Sequence, residues 1–532
     1  MTSRQRWTLF AAVVGSGIVF LDSTIVNVAL PRIGRELPST VVGVLEGQTY
    51  VVSGYLAVLA ALLILAGALS DHYGRRRIFA IGLASFGVTS VLCGLAPSLE
   101  LLILARLLQG ASGALLVPGS LAIITAAFSG PERSRAFGMW ASATSALTVF
   151  GPIVGGILVD TIGWRVAFLI NAPFIAIALW AAINHVEESR DTETARRFDW
   201  LGALVAATAV GGLAFGIIRG QEKSWSDTIA WVALGVGTVA LIAFPFLMRF
   251  RSDPLVPLGL FRSRAFATIN LATFFIYGAL YVTFGYMGLL LQNVLGYTAL
   301  GAGAVGLPVG VMLSLLSTRI GTLSGRIGAR RFLVAGPLVM ALGLLWFARL
   351  PASSGAWPAS LAQPSSLVPP IDVLVDVLPA TVLFGIGISL VVAPLTSALM
   401  GSIPARFTGL GSAINNALSR VGQPLLGAIA FVAISATFYS TLAGLVPGLD
   451  AASATVRREF PPLNPPGRAA TPEQIEAAIQ ASIDAFHQAM SLSAGLLIVG
   501  AVIVFLGLRE AAVGAPAGAA TKDRPADAGS PG

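Results

Sequence analysis

Lysine and cysteine are almost missing from this chain. Only Lys223 and Lys522 represent lysine, and neither lies in a Gly-x-x-x-x-Gly-Lys-Ser/Thr loop, which excludes a nucleotide-cradling loop of that kind. The single cysteine, Cys93, excludes an internal disulfide. The three histidines are far apart in sequence, and no cluster of cysteine and histidine indicates a metal site. We therefore expect no nucleotide, no metal and no other cofactor.

Charged residues are scarce as well. They make up 11% of the 532 residues, against 55% hydrophobic residues, whereas soluble domains carry about 25% charged residues. Many apolar runs approach the roughly 20 residues that a helix needs to cross a bilayer. The sequence therefore predicts an all-α polytopic membrane protein. A net charge of +8 would suggest nucleic acid in a soluble chain. Here the arginines lie in short turns between apolar runs, so we expect no nucleic-acid partner.

The apolar runs of spanning length number about fourteen. They lie at 8–30, 48–69, 78–97, 100–128, 136–159, 165–185, 200–218, 228–248, 265–291, 300–320, 332–350, 374–399, 410–438 and 487–508. An even number of spans puts both termini on one side, and most loop arginines, including Arg75 to Arg77, belong to that side. The positive-inside rule then predicts cytoplasmic termini in a protein of the cell membrane.

A charged turn occurs twice in the chain. The segment 67–79 reads Gly-Ala-Leu-Ser-Asp-His-Tyr-Gly-Arg-Arg-Arg-Ile-Phe, and 321–332 reads Gly-Thr-Leu-Ser-Gly-Arg-Ile-Gly-Ala-Arg-Arg-Phe. An alignment without gaps sets Gly74 on Gly328. Such a repeat between apolar runs indicates a duplicated membrane protein.

The repeat also predicts the domain organisation. We expect two six-helix bundles related by a pseudo-twofold repeat, with two inserted helices between them. A tail rich in alanine, glycine and proline follows and is predicted to be disordered in the cytoplasm. The predicted segments are the first bundle at 1–186, the linker with its two helices at 187–256, the second bundle at 257–509 and the tail at 510–532.

Asp22 is the only acid well inside the first span. Inserting aspartate at the centre of a membrane helix costs roughly 2.5–3.5 kcal/mol, so an acid there needs a partner or a use. Asp22 is either a proton-binding site or a carboxylate permanently paired with polar neighbours. Arg106, inside the fourth span, is a fixed cation. It either supports a charged Asp22, binds an anionic group, or holds helices together through backbone carbonyls.

Other polar and aromatic residues in the spans are candidates for a substrate cavity. The ninth span carries aromatic residues at helical spacing, which predicts either packing or the wall of a water-filled cavity. In the thirteenth span Asn416 and Arg420 share a face, either for coupling or within a packing network. The candidate cavity residues are Asn27, Gln109, Phe274, Tyr277, Tyr281, Phe284, Asn416 and Arg420.

Two glycine-rich segments predict helix packing and gating. The fifth span contains Gly151, Pro152, Gly155 and Gly156, a pattern that favours tight helix packing, with a bend at the proline. The first charged turn is either a solvated turn or a gate in which its aspartate clamps a neighbouring helix. Its candidate residues are Gly67, Asp71, Gly74, Arg75, Arg76 and Arg77.

A segment before the last span has its own helix signals. Thr471 followed by Pro472 is typical of a helix start, and apolar residues continue at helical spacing to Met490. Thr471–Met490 either extends the last span outward or forms a lid or partner site.

Taken together, these motifs resemble the major facilitator superfamily, in particular its fourteen-helix drug:proton antiporter branch. The resemblance covers roughly residues 7–510. The turn at 67–79 is similar to the family's loop signature, and 21–31, Leu-Asp-Ser-Thr-Ile-Val-Asn-Val-Ala-Leu-Pro, is similar to the branch's first-helix signature. Arg-Leu-Leu-Gln-Gly at 106–110 and Gly-Pro-Ile-Val-Gly-Gly at 151–156 resemble the signatures of the fourth and fifth helices. Tyr50 departs from the pattern, because branch members commonly have tryptophan there.

The resemblance implies a proton-coupled antiporter that exports drug-like or amphiphilic small molecules by alternating access between two bundles. Asp22 would take the coupling proton, Arg106 would support coupling, and Asp71 with the arginines of its turn would latch an inner gate. The implied partners are a small-molecule substrate, protons and the lipid bilayer, and the chain is expected to be a monomer.

Three other functions stay open on the sequence. One is export of an endogenous metabolite or lipid, another is import by proton symport, and the third is a membrane sensor or scaffold that transports nothing. An enzyme is not expected, because no nucleophile–base pair or metal-ligand set is visible.

Overall fold

The computed structural model describes residues 1–189, 199–223, 225–252, 254–403, 408–468 and 470–508. Within these ranges the regular structure is helical, apart from an isolated bridge between Ser360 and Gln363. The helices are α1 Ser3–Glu36, α2 Val44–Tyr73, α3 Arg75–Gly94, α4 Leu99–Ala127, α5 Gly130–Thr161, α6 Trp164–Leu169, α7 Asn171–His185, α8 Trp200–Glu222, α9 Thr228–Phe250, α10 Arg264–Leu289, α11 Ala299–Ala304, α12 Leu307–Ile327, α13 Ala329–Phe347, α14 Leu378–Gly401, α15 Thr408–Leu445, α16 Ala454–Glu459 and α17 Pro472–Gly507.

These helices confirm a polytopic all-α membrane protein. Thirteen helical segments of the described chain are long and apolar enough to cross a membrane, and α5 adds a shorter apolar stretch at Ala146–Thr161. The short pairs α6 with α7 and α11 with α12 each form one span. The α9 helix leaves most of its apolar surface exposed, as expected for a helix in contact with lipid.

Several spans differ in detail from the runs predicted by hydropathy. The helix breaks at Ile170 between α6 and α7, and again at Val305–Gly306 between α11 and α12. The last span begins at Pro472, where the Thr471 hydroxyl accepts a hydrogen bond from the N–H of Gln474. The capping prediction is therefore confirmed, and Thr471–Met490 extends the last span as one continuous helix.

The two charged turns have the same backbone shape. Gly74 ends α2 and starts α3 with φ 106° and ψ 131°, and Gly328 joins α12 to α13 with φ 92° and ψ 141°. Residues other than glycine rarely adopt such positive φ values. The prediction that these turns are copies of one motif therefore holds at the level of backbone geometry.

Helix packing follows the two copies of the motif. In the first half, α1 packs against α4, α5 and α7, while α2 and α3 pack against α4. In the second half, α10 packs against α15 and α17, and α14 packs against α12 and α13. The inserted helix α8 packs against α9 and also against α2 and α15. The boundaries at 186, 256 and 509 stay a prediction, and residues 190–198 of the linker and the tail lie outside the described residues.

The helical bundle has a proximal and a distal side. The proximal side carries the amino terminus and the turn at Gly74. The distal side is the opposite end, where α1 ends and α2 begins. Both described chain ends lie on the proximal side.

Candidate functional site

Asp22 is fully buried in the middle of α1 and is held by three donors. Its Oδ2 accepts a hydrogen bond from Arg106 Nη1 at 2.5 Å. Its Oδ1 accepts from Gln109 Nε2 and from Asn171 Nδ2, each at 3.1 Å. The two residues predicted to couple protons therefore form a buried ion pair.

Arg106 is fixed by more than its carboxylate partner. Its Nε donates to the Val51 carbonyl oxygen at 3.1 Å, and its guanidinium carbon lies 4.0 Å from the centre of the Tyr55 ring and 5.7 Å from that of Phe168. Nη1 also donates to Gln109 Oε1 at 2.6 Å. Arg106 therefore links its own helix, α4, to Asp22 of α1 and to Val51 and Tyr55 of α2.

Small residues allow this close approach. A Cβ added at Gly110 would lie 2.5 Å from the Tyr55 carbonyl oxygen, so α4 could not approach α2 this closely with a larger residue at that position. Gln109, which was predicted to line a substrate cavity, is fully buried one residue before Gly110. It bonds to Asp22 and to Ser90 Oγ, so the structure places it inside the ion-pair network.

Sequence reasoning missed two polar members of this network. Asn171 and Ser90 are fully buried, and Asn171 Nδ2 donates to Ser90 Oγ at 2.9 Å. Ser90 in turn donates to the Phe168 carbonyl oxygen. A signal was available for Asn171, because an amide between apolar runs requires partners.

The aromatic residues of α10 are half-buried along one face. Phe274 packs edge-on against Phe275, and Phe284 packs edge-on against Phe384 of α14. Tyr277 and Tyr281 lie between them on the same face, and their hydroxyls make no hydrogen bond to any described residue.

The polar residues of α15 separate into two environments. Asn415 donates to Asn270 and Thr273 of α10, and Asn416 donates to the carbonyl of its own helix at Ser412. Arg420 is 3% exposed and lies over the ring of Phe20 in α1, with 5.4 Å between the guanidinium carbon and the ring centre. Arg420 therefore lies where the second half meets the first.

Asn27 is the last of the predicted cavity residues. It is half-buried, its Oδ1 is shielded from solvent, and that oxygen has no partner within the described chain. Its backbone carbonyl approaches Gly288 of α10. Asn27 therefore also lies where the two halves meet.

The glycines of α5 act at two interfaces, as the predicted packing motif requires. Gly155 faces Ile25 of α1, where an added Cβ would lie 3.2 Å from the Ile25 Cα. Gly156 faces α11, where an added Cβ would lie 2.6 Å from both the Ala299 carbonyl oxygen and the Leu300 Cα. Gly151 contacts Thr24, and the Pro152 carbonyl contacts Gly303 of α11. These contacts join both halves of the chain through α5.

The hydrogen bonds that join the two halves within the described chain all lie on the distal side. Asp160, at the end of α5, accepts from the N–H groups of Ala299 and Leu300 at 3.1 and 2.7 Å. Gln292 donates to the Val28 carbonyl oxygen at 3.0 Å. The structure is therefore a conformation that is closed on the distal side.

The signature turn is held from within its own half. The carboxylate of Glu188 accepts hydrogen bonds from the N–H groups of Arg76 and Arg77 at 3.1 and 3.2 Å, and the Ser189 carbonyl accepts from the N–H of Arg75. Glu188 was not predicted. The Asp71 side chain lies outside the described residues, so its predicted clamp stays a prediction. A Cβ added at Gly67 would lie 3.9 Å from the Pro118 Cβ, an ordinary contact.

A second charged network ties the inserted helix α8 to α2. Fully buried Glu46 lies 3.5 Å from Arg219, which also pairs with Asp227 at 2.8 Å. The N–H of Ile229 and the Arg219 guanidinium lower the pKa of Asp227. Arg457 of α16 donates to the Glu222 carbonyl at 3.0 Å. The inserted helix is thus anchored to both halves on the distal side.

Comparisons with known proteins agree with this architecture. The sequence profile of the Major Facilitator Superfamily matches residues 12–427. The multidrug resistance protein Stp of Mycobacterium tuberculosis is 37% identical over 456 residues, which cover 84% of this chain and 80% of Stp. The tetracenomycin C resistance and export protein of Streptomyces glaucescens is 32% identical, covering 79% and 74%.

Solved structures share the fold. A bacterial homologue of the human lysosomal transporter Spinster, in an inward-facing and unoccupied conformation, has a TM-score of 0.62 at 18% identity, covering 95% of this chain and 97% of that one. The POT family transporter PepTSo has a TM-score of 0.62 at 14% identity, with coverage of 95% of this chain and 97% of that one. The chain therefore belongs to the Major Facilitator Superfamily of membrane transporters.

Proposed function

We propose that this transporter is a proton-coupled antiporter that exports drug-like or amphiphilic small molecules by alternating access. The observation that carries the proposal is the buried ion pair of Asp22 and Arg106, with 2.5 Å between Oδ2 and Nη1. A titratable acid inside a transporter bundle, paired with a cation that never deprotonates, is an arrangement that one proton can switch.

The hydrogen bonds around Asp22 fit its ionised form. Both carboxylate oxygens accept from nitrogen donors, which is the pattern of a charged acid. Protonation would remove the negative charge and leave Arg106 buried beside a neutral group. Because breaking one side of a buried ion pair costs roughly 3–5 kcal/mol, proton uptake would favour a conformation in which Arg106 finds other partners or water.

The conformation supports a proposed order of events. Since the two halves are closed on the distal side with Asp22 ionised, we assign this state to substrate uptake from the proximal side. Opening toward the distal side would expose Asp22 to protons there and release the substrate. Return to the proximal-facing state would release the proton.

The proximal side is cytoplasmic in this proposal, and the membrane is the cell membrane. The concentration of arginines near the proximal turns supports this orientation. Each charge that crosses the membrane yields about 2.3 kcal/mol per 100 mV, so one or two protons can drive a substantial substrate gradient. The chain would work as a monomer and without nucleotide.

The names of the relatives support drug export. Stp is described as a multidrug resistance protein, and the relative from Streptomyces glaucescens as a tetracenomycin C resistance and export protein. Both match this chain over more than two thirds of their length. The same class of substrate is therefore proposed here.

Transport in inverted membrane vesicles tests the proposal. Acidifying the vesicle interior should drive uptake of the neutral dye phenylnaphthylamine by the wild type, and Asp22→Asn should abolish the pH-driven part. The control is Asp450→Asn, the same change at an acid whose carboxylate accepts from the N–H of Ala452 in a distal loop. Full pH-driven uptake by Asp22→Asn, or none by the wild type, would contradict the proposal.

A further inference from the structure

Two arginines are buried among the described residues, and only one of them is neutralised. Arg106 is 1% exposed and paired with Asp22. Arg420 is 3% exposed, and no described residue forms a hydrogen bond or an ion pair with its guanidinium. Its one ring contact is with Phe20. A guanidinium stays charged under all relevant conditions, so Arg420 is an uncompensated positive charge inside the membrane.

An unpaired cation in the membrane interior lowers the stability of the protein unless an anion binds to it. Ionic groups are rare in membrane interiors and lie in pairs or along substrate paths. A cation–π contact with a single ring recovers only part of the free energy that a cation loses when it leaves water. None of the described residues supplies an anion to Arg420, which indicates that the anion comes from a ligand.

Another donor is the Tyr55 hydroxyl, because Tyr55 belongs to the buried cluster that contains Ala417 of α15 and packs against Phe20, the ring under Arg420. The Tyr55 hydroxyl is shielded from solvent beside Ser23 and has no hydrogen bond of ordinary geometry within the described chain. The charged groups that act on this hydroxyl are Asp22, Arg106 and Arg420. With Asp22 ionised, its charge and that of Arg106 cancel, which leaves the single positive charge of Arg420 at this place.

The surroundings suit an amphiphilic molecule. Helix α10 crosses α15 at Gly422, where an added Cβ would lie 2.5 Å from the Phe274 carbonyl oxygen. The crossing places Phe274 and Tyr277 of α10 at the level of the α15 turn that carries Arg420, whose guanidinium extends toward Phe20 of α1. An apolar body on the aromatic face of α10 would leave a charged group within reach of the guanidinium.

We propose that Arg420, with the Tyr55 hydroxyl, binds an oxyanion of the transported molecule. The preferred substrates are then amphiphiles with a carboxylate, sulfonate, phosphate or ionised phenol, and monocationic amphiphiles are rejected by the same charge. This inference deepens the proposed antiport and rests on it. Exchange of a monoanion for one proton moves two charges across the membrane, so an interior-negative potential favours export.

Two dyes of nearly the same shape test the charge preference directly. Anilinonaphthalene sulfonate and phenylnaphthylamine share one aromatic framework and differ by the sulfonate, and both fluoresce more strongly when bound. We would measure their dissociation constants with the full chain in phosphatidylcholine nanodiscs, with ethidium as the cationic competitor. The variants are Arg420→Gln and Arg420→Lys, and Arg349→Gln removes an arginine that stacks on Trp346 elsewhere in the bundle.

The expected result is a loss confined to the anion. Hydrogen bonds to charged groups are worth about 1.5–3 kcal/mol, so Arg420→Gln should weaken sulfonate binding by roughly 10- to 150-fold. Binding of phenylnaphthylamine should stay within about twofold, ethidium should bind more tightly, and Arg420→Lys should keep part of the sulfonate affinity. Arg349→Gln should change none of these. Equal losses for both dyes, or no loss for the sulfonate, would overturn the inference.

Thermal stability separates a ligand site from a structural role. Removing an uncompensated buried cation should leave the melting temperature of Arg420→Gln unchanged or higher. A lower melting temperature, together with weaker binding of both dyes, would mean that Arg420 serves packing. Addition of phosphatidylglycerol to the nanodiscs distinguishes the sources of the oxyanion. Competition with the sulfonate in the wild type would identify a lipid headgroup, and unchanged sulfonate binding would identify a soluble amphiphile.

The two proposals fail in different ways. Arg420→Gln should still accumulate phenylnaphthylamine in response to a pH gradient, whereas Asp22→Asn should not. Loss of gradient-driven transport in the wild type would contradict proton coupling while leaving the binding result intact. If the wild type responds to the gradient but Arg420→Gln has the same preference between the two dyes as the wild type, only the role of Arg420 is contradicted.

Discussion

Gln48 and Asn464 are 416 residues apart in sequence and bind each other through both side-chain amides. Gln48 Nε2 donates to Asn464 Oδ1 at 3.1 Å, and Asn464 Nδ2 donates to Gln48 Oε1 at 2.9 Å. Both residues are buried, and Gln48 also donates to the Leu30 carbonyl oxygen. This reciprocal pair joins α2 to the loop between α16 and α17, so it exists only while the distal side is closed.

Asn464→Ala should therefore shift the transporter toward distal-open conformations. Leaving a buried polar group without its partner costs about 1–3 kcal/mol, and here the cost falls on the closed state alone. Spin labels at Val41→Cys and Leu445→Cys, two exposed distal positions, would report a larger fraction of long distances. Cys93 is buried and does not compete for the label.

A matched control is Asn184→Ala, because Asn184 is exposed and donates only to the Trp180 carbonyl of its own helix on the proximal side. It should leave the distance distribution unchanged. Identical distributions for wild type and Asn464→Ala would show that the amide pair does not hold the distal side closed.

Asp160, which caps the N-terminus of α11, should also stabilise the conformation that is closed on the distal side. A carboxylate at a helix N-terminus satisfies free N–H groups and interacts favourably with the helix dipole, typically for about 0.5–2 kcal/mol. Asp160→Asn removes the charge and one of the two acceptors that bind Ala299 and Leu300. We expect a shift toward distal-open distances, measured with the same label pair.

Glu473→Gln is the control for Asp160→Asn. Glu473 lies in the first turn of α17, a helix N-terminus with no partner in the other half among the described residues. Glu473→Gln removes the same charge as Asp160→Asn but changes no contact between the two halves among the described residues. An equal shift in both variants would mean that the effect is a general loss of charge on the distal side.

Much of this architecture could be predicted because the membrane limits the possibilities. Gly74 and Gly328 were recognised as copies from sequence alone, and both have the positive φ that their turn demands. Asp22 and Arg106 could be connected because ionic groups are rare inside spans, and a buried acid and a buried base usually find each other.

The partners of uncharged polar groups could not be predicted. Asn171 and Gln48 are ordinary amides in sequence, and their partners lie on other helices or in a distant loop. The break at Ile170 was also missed, because hydropathy over a window is insensitive to one interrupted turn. Arg420 has no anionic partner among the described residues. Only the packed structure shows this, because the sequence does not say which acids lie near Arg420.

Gly156→Ala should prevent full closure of the distal side. A Cβ there would lie 2.6 Å from the Ala299 carbonyl oxygen and the Leu300 Cα, and both are backbone atoms that cannot turn away. Overpacking of this kind costs about 1–3 kcal/mol, which corresponds to roughly a 5- to 150-fold change in the ratio of closed to open states. The labelled pair should report this shift, and transport should fall.

Gly211→Ala gives the matching control for Gly156→Ala. Nothing lies within 4 Å of a Cβ at Gly211 in α8, so this change should leave transport intact and the helix as stable or more stable. Normal closure and normal transport in Gly156→Ala would show that α5 and α11 can separate without loss of function.

Glu188→Ala should destabilise the signature turn from outside the motif itself. Glu188 accepts from the N–H groups of Arg76 and Arg77 at the start of α3, where the N-cap residue is Gly74, which has no side chain to cap the helix. Loss of a helix cap costs about 0.5–2 kcal/mol, so the melting temperature of the purified protein should fall. Glu187→Ala is the neighbouring control, because Glu187 only forms an exposed ion pair with Arg4, worth about 0–1 kcal/mol. Equal melting temperatures for the two variants would show that the turn at Gly74 is held without Glu188.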